Sequence, residues 1–328
     1  MRMLSVAIDI TSALYGRGVS RYTTNLVRAL LRRPDVRMTL YGSTLRGHKQ
    51  LTDIANNLKQ EATSKADVVI QAYPPALNNF LWNRIAFPKI RSSLPKVDVF
   101  HSWDWIQPPD KDLPLVSTIH DLAMLKFPDT AHPKLLAMHR QSWKILKERK
   151  AQIIAVSRAT KRDIIELLDI PPERIHVVRE ALPEEVVKIG STLDEEQVAM
   201  HIQKLGLTRP YLLAVGTREP RKNLERLIEA WQPLSADYDL VIAGEQGWDV
   251  TSTGTKLGSI AHLHLLGRVD DTQLAALYTN ASVFCYPSLY EGFGLPILEA
   301  FYYGLPVVTS NVSSMPGSAG NTAELVDA

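Results

Sequence analysis

The chain has 328 residues, 45% hydrophobic, 22% charged and 7% aromatic, with 20 Pro and 17 Gly spread along it. This is ordinary globular composition; it excludes a disordered chain, a collagen repeat and a small disulfide scaffold, and at roughly 100–200 residues per domain it implies two domains, each able to bury its own core. Net charge is only +2, but residues 1–185 hold 28 Lys and Arg against 19 Asp and Glu while residues 186–328 hold 9 against 16, so the first half suits an anionic partner or an acidic second half.

The elements follow in chain order. Met3–Ile10 reads as a short buried strand, TSALYGRGVSRY as a Gly-rich loop, and Ser20–Leu31 as a helix with Leu26, Leu30 and Leu31 on one face. Apolar runs at Val36–Tyr41, Ala66–Ile70, Val97–His101, Leu115–His120 and Ala151–Ser157 alternate with helical or loop segments, the pattern of a parallel sheet covered on both faces. Around residues 180–208 the chain turns polar and acidic, and the domain boundary is placed there, giving domains 1–190 and 191–328. The alternation restarts with strands at Tyr211–Val215, Leu240–Ala243, Leu263–Leu266 and Ser282–Tyr286, and helices at Leu224–Trp231 and Thr272–Tyr278. The fold class is therefore α/β, two Rossmann-like doubly wound domains facing a cleft, with ligands at the carboxyl ends of the strands.

The single cysteine, Cys285, lies in an apolar run and reads as a buried core thiol, which suits a reducing, cytoplasmic compartment. Asp9 interrupts the first ten residues too early for a signal peptide or spanning helix, and no later stretch reaches ~18 uninterrupted apolar residues. The expectation is a soluble or peripheral protein.

Four segments carry chemistry. In SLYEGFGLPILE (Ser288–Glu299), after a strand and opening a helix, Gly292 and Gly294 admit a ligand close to the backbone, and the amides at the helix start suit an anion. Glu291 and Glu299, one in the loop and the other about two turns along the helix, can accept hydroxyl hydrogen bonds from a sugar and a ribose. In GTREPRKN (Gly216–Asn223), again between strand and helix, Arg218, Arg221 and Lys222 gather at a positive helix end; a phosphate or diphosphate resolves that conflict. YGRGVSRY (Tyr15–Tyr22) follows the first strand, and STIHDL (Ser117–Leu122) brings His120 and Asp121 to the end of another. Asp237-Tyr238-Asp239 has an Asp-x-Asp spacing but precedes its strand, at the wrong end for a ligand. No zinc spacing and no Walker-type loop occurs.

Together GTREPRKN and, some seventy residues on, YEGFGLPILEAFYYGLPVV resemble the retaining glycosyltransferases of family 4, which have the GT-B fold. GRGVSRY, TIHDL followed by FP, and AVSRATKRDI agree, so the resemblance covers nearly the whole chain. It implies a bacterial-type hexosyltransferase or mannosyltransferase using a GDP- or UDP-sugar donor, with no further cofactor and no metal. Lys222 with Arg221 or Arg218 would hold the diphosphate, Phe293 and Gly294 would offer backbone donors beside it, Glu299 would bind the ribose and Glu291 the sugar. Gly18 would approach the phosphates, His120 would face the transferred sugar, and the loop HSWDW after Phe100 would receive the acceptor. His120, Lys222 and Glu291 are thus the catalytic candidates.

The chain departs from the family at Thr217, where many members have Arg, and at Arg179-Glu180-Ala181-Leu182, where members often read P-N-G-V. It ends at Ala328, where members usually continue, so the second domain is expected to be incomplete at its C-terminus. Retention in this family is explained by front-face attack, the leaving diphosphate taking the acceptor's proton. Competing readings are a nucleotide-sugar-binding fragment without turnover, or another GT-B enzyme such as a sugar-phosphate synthase or an epimerase. Arg21, Arg28, Arg32 and Arg33, with the basic stretch Arg140–Arg162 and its Trp143, Ile145 and Leu146, would suit an anionic membrane surface and lipid-linked acceptors. Nucleic acid is not expected, because no basic groove interleaved with aromatics accompanies the charge.

Overall fold

The computed structural model describes residues 3–16, 18–63, 65–74, 77, 80–85, 87–247 and 260–328. They form two compact units, one made of residues up to 156 with 161–178, the other of 157–160 with 179–328.

The first unit opens with β1 (Leu4–Asp9), α1 (Gly18–Leu31), β2 (Val36–Ser43), α2 (His48–Gln60) and β3 (Ala66–Gln71). It continues with β4 (Val99–Trp103), β5 (Leu115–Ile119), a single turn α3 (Ala123–Lys126), α4 (Pro133–Glu148), β6 (Gln152–Ala155), α5 (Arg158–Leu168) and β7 (Ile175–Val177). The strands form one parallel sheet in the order β3-β2-β1-β4-β5-β6-β7. Side chains alternate across a strand, so Val6 and Ile8 of β1 join Val27 and Leu31 of α1 on one face, while Ala7 joins Trp143 and Leu146 of α4 on the other. A sheet buried on both faces explains why the strands read as continuous apolar runs. Each fully buried Val, Leu or Ile among them is worth about 1.5–3 kcal/mol.

The second unit comprises α6 (Glu184–Thr192), α7 (Glu195–Lys204), β8 (Tyr211–Val215), α8 (Leu224–Trp231), β9 (Asp239–Ala243) and β10 (Leu263–Gly267). Then come α9 (Asp271–Asn280), β11 (Val283–Tyr286), α10 (Leu295–Tyr302), β12 (Val307–Ser310), α11 (Met315–Ala319) and β13 (Glu324–Val326). The parallel order is β10-β9-β8-β11-β12-β13. Leu227, Ile228 and Trp231 of α8 cover one face against Leu240, Ile242 and Cys285, and Ile297 and Ala300 of α10 cover the other with Leu213 and Phe284. Cys285 is a core thiol, as expected; burial pushes it up to about 11.

The boundary falls before the expected 190/191 division. The chain passes into the second unit at Arg179 because α6 docks there: Tyr302 donates to the Val187 carbonyl at 2.9 Å, and Gly190 has no room for a side chain beside Tyr302. Polar composition marked the connecting region but not the contacts that assign α6 to its unit. In both sheets the strand order reverses once, at β1/β4 and at β8/β11, and the loops leaving the carboxyl ends of those strands are where such folds bind ligands.

Candidate active site

The loops after β8 and β11 flank the switch point of the second unit. After β8 the chain turns at Gly216 (φ 144°), where a β-carbon would stand 3.1 Å from Lys222 Cε, so the glycine makes room for the lysine stem. The turn Pro220–Lys222 ends in Asn223, whose left-handed φ of 57° starts α8. After β11 the segment from Pro287 runs to Gly294, in the left-handed region at φ 94°, and α10 begins at Leu295.

These loops join Lys222 and Glu291, 69 residues apart, at 2.6 Å between Nζ and Oε1. Arg221 Nη1 reaches the other oxygen, Oε2, at 2.6 Å, donates also to the Tyr290 carbonyl at 2.9 Å, and through Nη2 pairs with Glu219 at 2.6 Å. Lys222 donates to the Tyr286 hydroxyl at 2.9 Å and lies 4.8 Å from that ring's centroid. The Glu291 carbonyl accepts from Ser313 and Ser314 at 2.8 and 3.0 Å, fixing the loop. Burial alone would raise the Glu291 pKa, but the charges and hydrogen bonds of Lys222 and Arg221 outweigh it and hold the carboxyl at about 2. A buried carboxylate thus pairs with two cations where the loops after β8 and β11 meet.

Glu299 is buried on α10, five residues into the helix rather than two turns, because the helix starts at Leu295 and not near Glu291. Its Oε2 accepts from the Tyr278 hydroxyl at 3.0 Å. Phe293 is buried and its carbonyl accepts from Ser318. Arg218 is not among the partners of Glu291; its backbone is drawn into a bridge beside Gln246, accepting from Gly247 at 2.9 Å. Between the two arginines offered by GTREPRKN, Arg221 is the one beside Lys222. Asp239 of the Asp-x-Asp spacing is held by Arg209 and His264, each at 2.8 Å.

In the first unit Gly18 is the first residue of α1, two residues before the expected helix start, and a methyl group placed on it would meet nothing within 4 Å. Arg17 of the same motif lies outside the described residues. His120 follows β5 and lies edge-on to Tyr22 (4.7 Å) and stacked with Trp103 (6.1 Å between centroids). The expected HSWDW loop is mostly strand: β4 runs through Trp103, whose indole N–H donates to the Asp9 carbonyl at 2.7 Å. His101 shares a hydrogen bond with Thr118 at 2.9 Å, and burial, then His120, pushes it down to about 4. Asp104, at the strand end, is buried between His139 and the Trp143 indole.

On and near α4 the structure gives part of the basic and apolar set other partners. Trp143 and Leu146 are core residues, Lys147 pairs with Asp169 (2.7 Å), and Lys161 is spent on the Pro172 and Ile175 carbonyls. Arg28 on α1 and Arg32 just past its end share Glu61, and Arg33 pairs with Asp35. Sequence reasoning missed Tyr286, Tyr278, Glu219 and the Ser313–Ser314 pair. Only Tyr286 carried a signal, as the last residue of a strand ending at the switch point.

The profile of glycosyltransferase family 4 matches residues 16–185, and that of glycosyl transferases group 1 matches residues 197–325. The chain belongs to glycosyltransferase family 4. This family-4 chain is 35% identical over 229 residues to O-antigen chain mannosyltransferase B of Escherichia coli, covering 65% of the chain and 57% of the relative. It is 34% identical to the serotype-specific mannosyltransferase WbdA of the same organism, over 53% of the chain and 22% of the relative. The chain therefore spans less than two thirds of these curated relatives. In fold it is similar to a glycosyltransferase from Rickettsia africae (TM-score 0.69, 16% identity, covering 100% of this chain and 85% of that one) and to Anabaena HepE in complex with UDP and glucose (TM-score 0.64, 16% identity, 99% and 86%). These likenesses support the two-domain GT-B architecture.

Proposed function

We propose that the chain is a retaining hexosyltransferase of polysaccharide or glycolipid synthesis, moving mannose or another hexose from a GDP- or UDP-sugar to a saccharide or lipid-linked acceptor. The observation that carries it is the Glu291–Lys222–Arg221 cluster at the β8/β11 switch point, in a chain similar to two Escherichia coli proteins named mannosyltransferases. In this reading the donor diphosphate takes over the cations that Glu291 now neutralises, and the amides of Phe293 and Gly294 add donors. Glu299 accepts from the ribose hydroxyls, and Glu291 turns to the hexose. In the first unit the open face of Gly18 admits a phosphate oxygen, and His120 meets the sugar.

The bond between the anomeric carbon and the diphosphate oxygen breaks as the acceptor oxygen bonds to that carbon on the same face. The acceptor's proton passes to the leaving phosphate. The chain supplies charge stabilisation and alignment, with Lys222 and Arg221 meeting the developing negative charge. In this reading the transfer needs the donor and the acceptor, with no metal ion and no further cofactor.

A lipid-linked acceptor is supported by the surface of the first unit, where Phe80, Ile85 and Phe87 are 55%, 55% and 64% exposed, with exposed Lys89 and Arg91 next in sequence. This segment, rather than α4, is the one suited to an anionic bilayer at the inner face of the plasma membrane. No helix among the described residues is long and apolar enough to cross a membrane.

Radiolabelled GDP-mannose and UDP-glucose, incubated with the chain and saccharide or lipid-linked acceptors, test the reading. Transfer of label with retained configuration, lost in Lys222→Ala, is expected. Nucleotide binding without transfer would indicate the non-catalytic alternative. Co-flotation with phosphatidylglycerol vesicles at low salt, lost at high salt, is expected of the bilayer contact; no flotation at low salt removes it.

A further inference from the structure

Glu299 sits one turn into α10 and Tyr278 two residues before the end of α9, and both are buried. The tyrosine is held on two sides. Its ring stacks on Tyr303 (5.7 Å between centroids, 6° between planes) and meets Phe284 edge-on at 5.4 Å. With two side-chain torsions locked by packing, the hydroxyl has little freedom, and it donates to Glu299 Oε2 at 3.0 Å. Burial, reinforced by the nearby Glu299 charge, pushes the phenol far above its ordinary pKa, so it stays a donor at any working pH.

From this geometry we infer that Tyr278 is a positioning residue for the nucleotide ribose: its hydroxyl fixes the rotation of the Glu299 carboxylate, so that the remaining acceptor capacity faces the ribose diol. The inference rests on the proposed ribose role of Glu299 and deepens it. A carboxylate has acceptor sites for about four hydrogen bonds. One is taken by the packed Tyr278 hydroxyl, which restricts the directions left for a ribose. A terminal sp³–sp² torsion is intrinsically broad, and each constraint on it lowers the ordering needed when the nucleotide binds.

The test is calorimetry on the full chain with GDP, UDP, their 2′,3′-dideoxy analogues and inorganic pyrophosphate. Tyr278→Phe keeps the ring and its stacking and removes only the hydroxyl. Affinity for whichever nucleotide the chain binds is expected to fall about three- to tenfold, the scale of one ordinary hydrogen bond lost or misaligned. Pyrophosphate affinity, which involves no ribose, is expected to hold, and the loss is expected to vanish with the dideoxy nucleotide.

Equal weakening of pyrophosphate would show a general structural defect and overturn the inference. So would undiminished nucleotide affinity in Tyr278→Phe where Glu299→Gln weakens it, which leaves the role of Glu299 intact. If Glu299→Gln itself leaves nucleotide affinity unchanged, the ribose assignment fails and Tyr278 with it. Tyr303→Leu, which removes the stacking partner and keeps the hydroxyl, is expected to give a smaller loss of the same ribose-dependent kind; a loss without ribose dependence counts against positioning.

Discussion

Glu291→Gln separates an internal counterion from a simple structural salt bridge. The carboxylate neutralises Lys222 and Arg221 at 2.6 Å each, and its side chain is only 9% exposed, so solvent screening is weak. The interval between the ordinary 4.5 and about 2 corresponds to roughly 3 kcal/mol in favour of the ionised form. Because the folded-state value is the lower one, this contribution is complete above pH 4.5 and is lost as pH falls from about 4.5 towards about 2. At neutral pH the amide removes it and leaves two cations short of their anion, at a cost on the order of 3 kcal/mol. A shift of roughly 2–4 °C per kcal/mol for a unit of this size puts the fall in its unfolding temperature at roughly 6–12 °C. Pyrophosphate or nucleoside diphosphate then replaces the missing charge, so the ligand-induced rise in unfolding temperature is expected to be larger in the variant than in the parent, and calorimetric affinity for pyrophosphate tighter. Turnover of the sugar-bearing donor should nonetheless fall. A variant that melts with the parent and binds pyrophosphate no more tightly would refute the counterion argument.

Lys222→Ala removes a charge-assisted contact worth about 1.5–3 kcal/mol, so nucleotide diphosphate affinity is expected to drop tenfold or more by calorimetry, and unchanged binding in a folded variant would sink the phosphate role. Gly18→Ala adds a methyl group into space where nothing lies within 4 Å, at a helix start that tolerates alanine, so the unfolding temperature should hold while turnover falls. Unaltered turnover would mean that no ligand approaches that backbone. His120→Ala should lower the transfer rate and leave nucleotide diphosphate affinity as it was; equal loss of both would place the histidine in the packing of Tyr22 and Trp103 instead.

Much of this architecture was legible in the chain. Strands buried on both faces write themselves as apolar runs, and α8 falls on Leu224–Trp231, as its pattern of Leu227, Ile228 and Trp231 predicts. The two site segments could be placed as strand–loop–helix transitions because Gly and Pro punctuate them. HSWDW was not legible, since an aromatic run has the same composition in a buried strand as in a binding loop, and only pairing of β4 with both β1 and β5 shows that it is strand. The depth of Glu299 was also missed, because Gly294, not Glu291, marks where α10 begins.

The sequence by itself determined which residue types stand at the ends of which strands: a lysine and two arginines after β8, a glutamate and two glycines after β11, a histidine after β5. Periodicity and turn chemistry act over a few residues, and that is the range of what they specify. Only the tertiary structure decided which arginine joins Lys222, that Glu291 spans both cations, that Tyr278 holds Glu299 and that α6 belongs to the second unit. Those are contacts across tens of residues of chain, and they exist because the parallel order brings β8 beside β11.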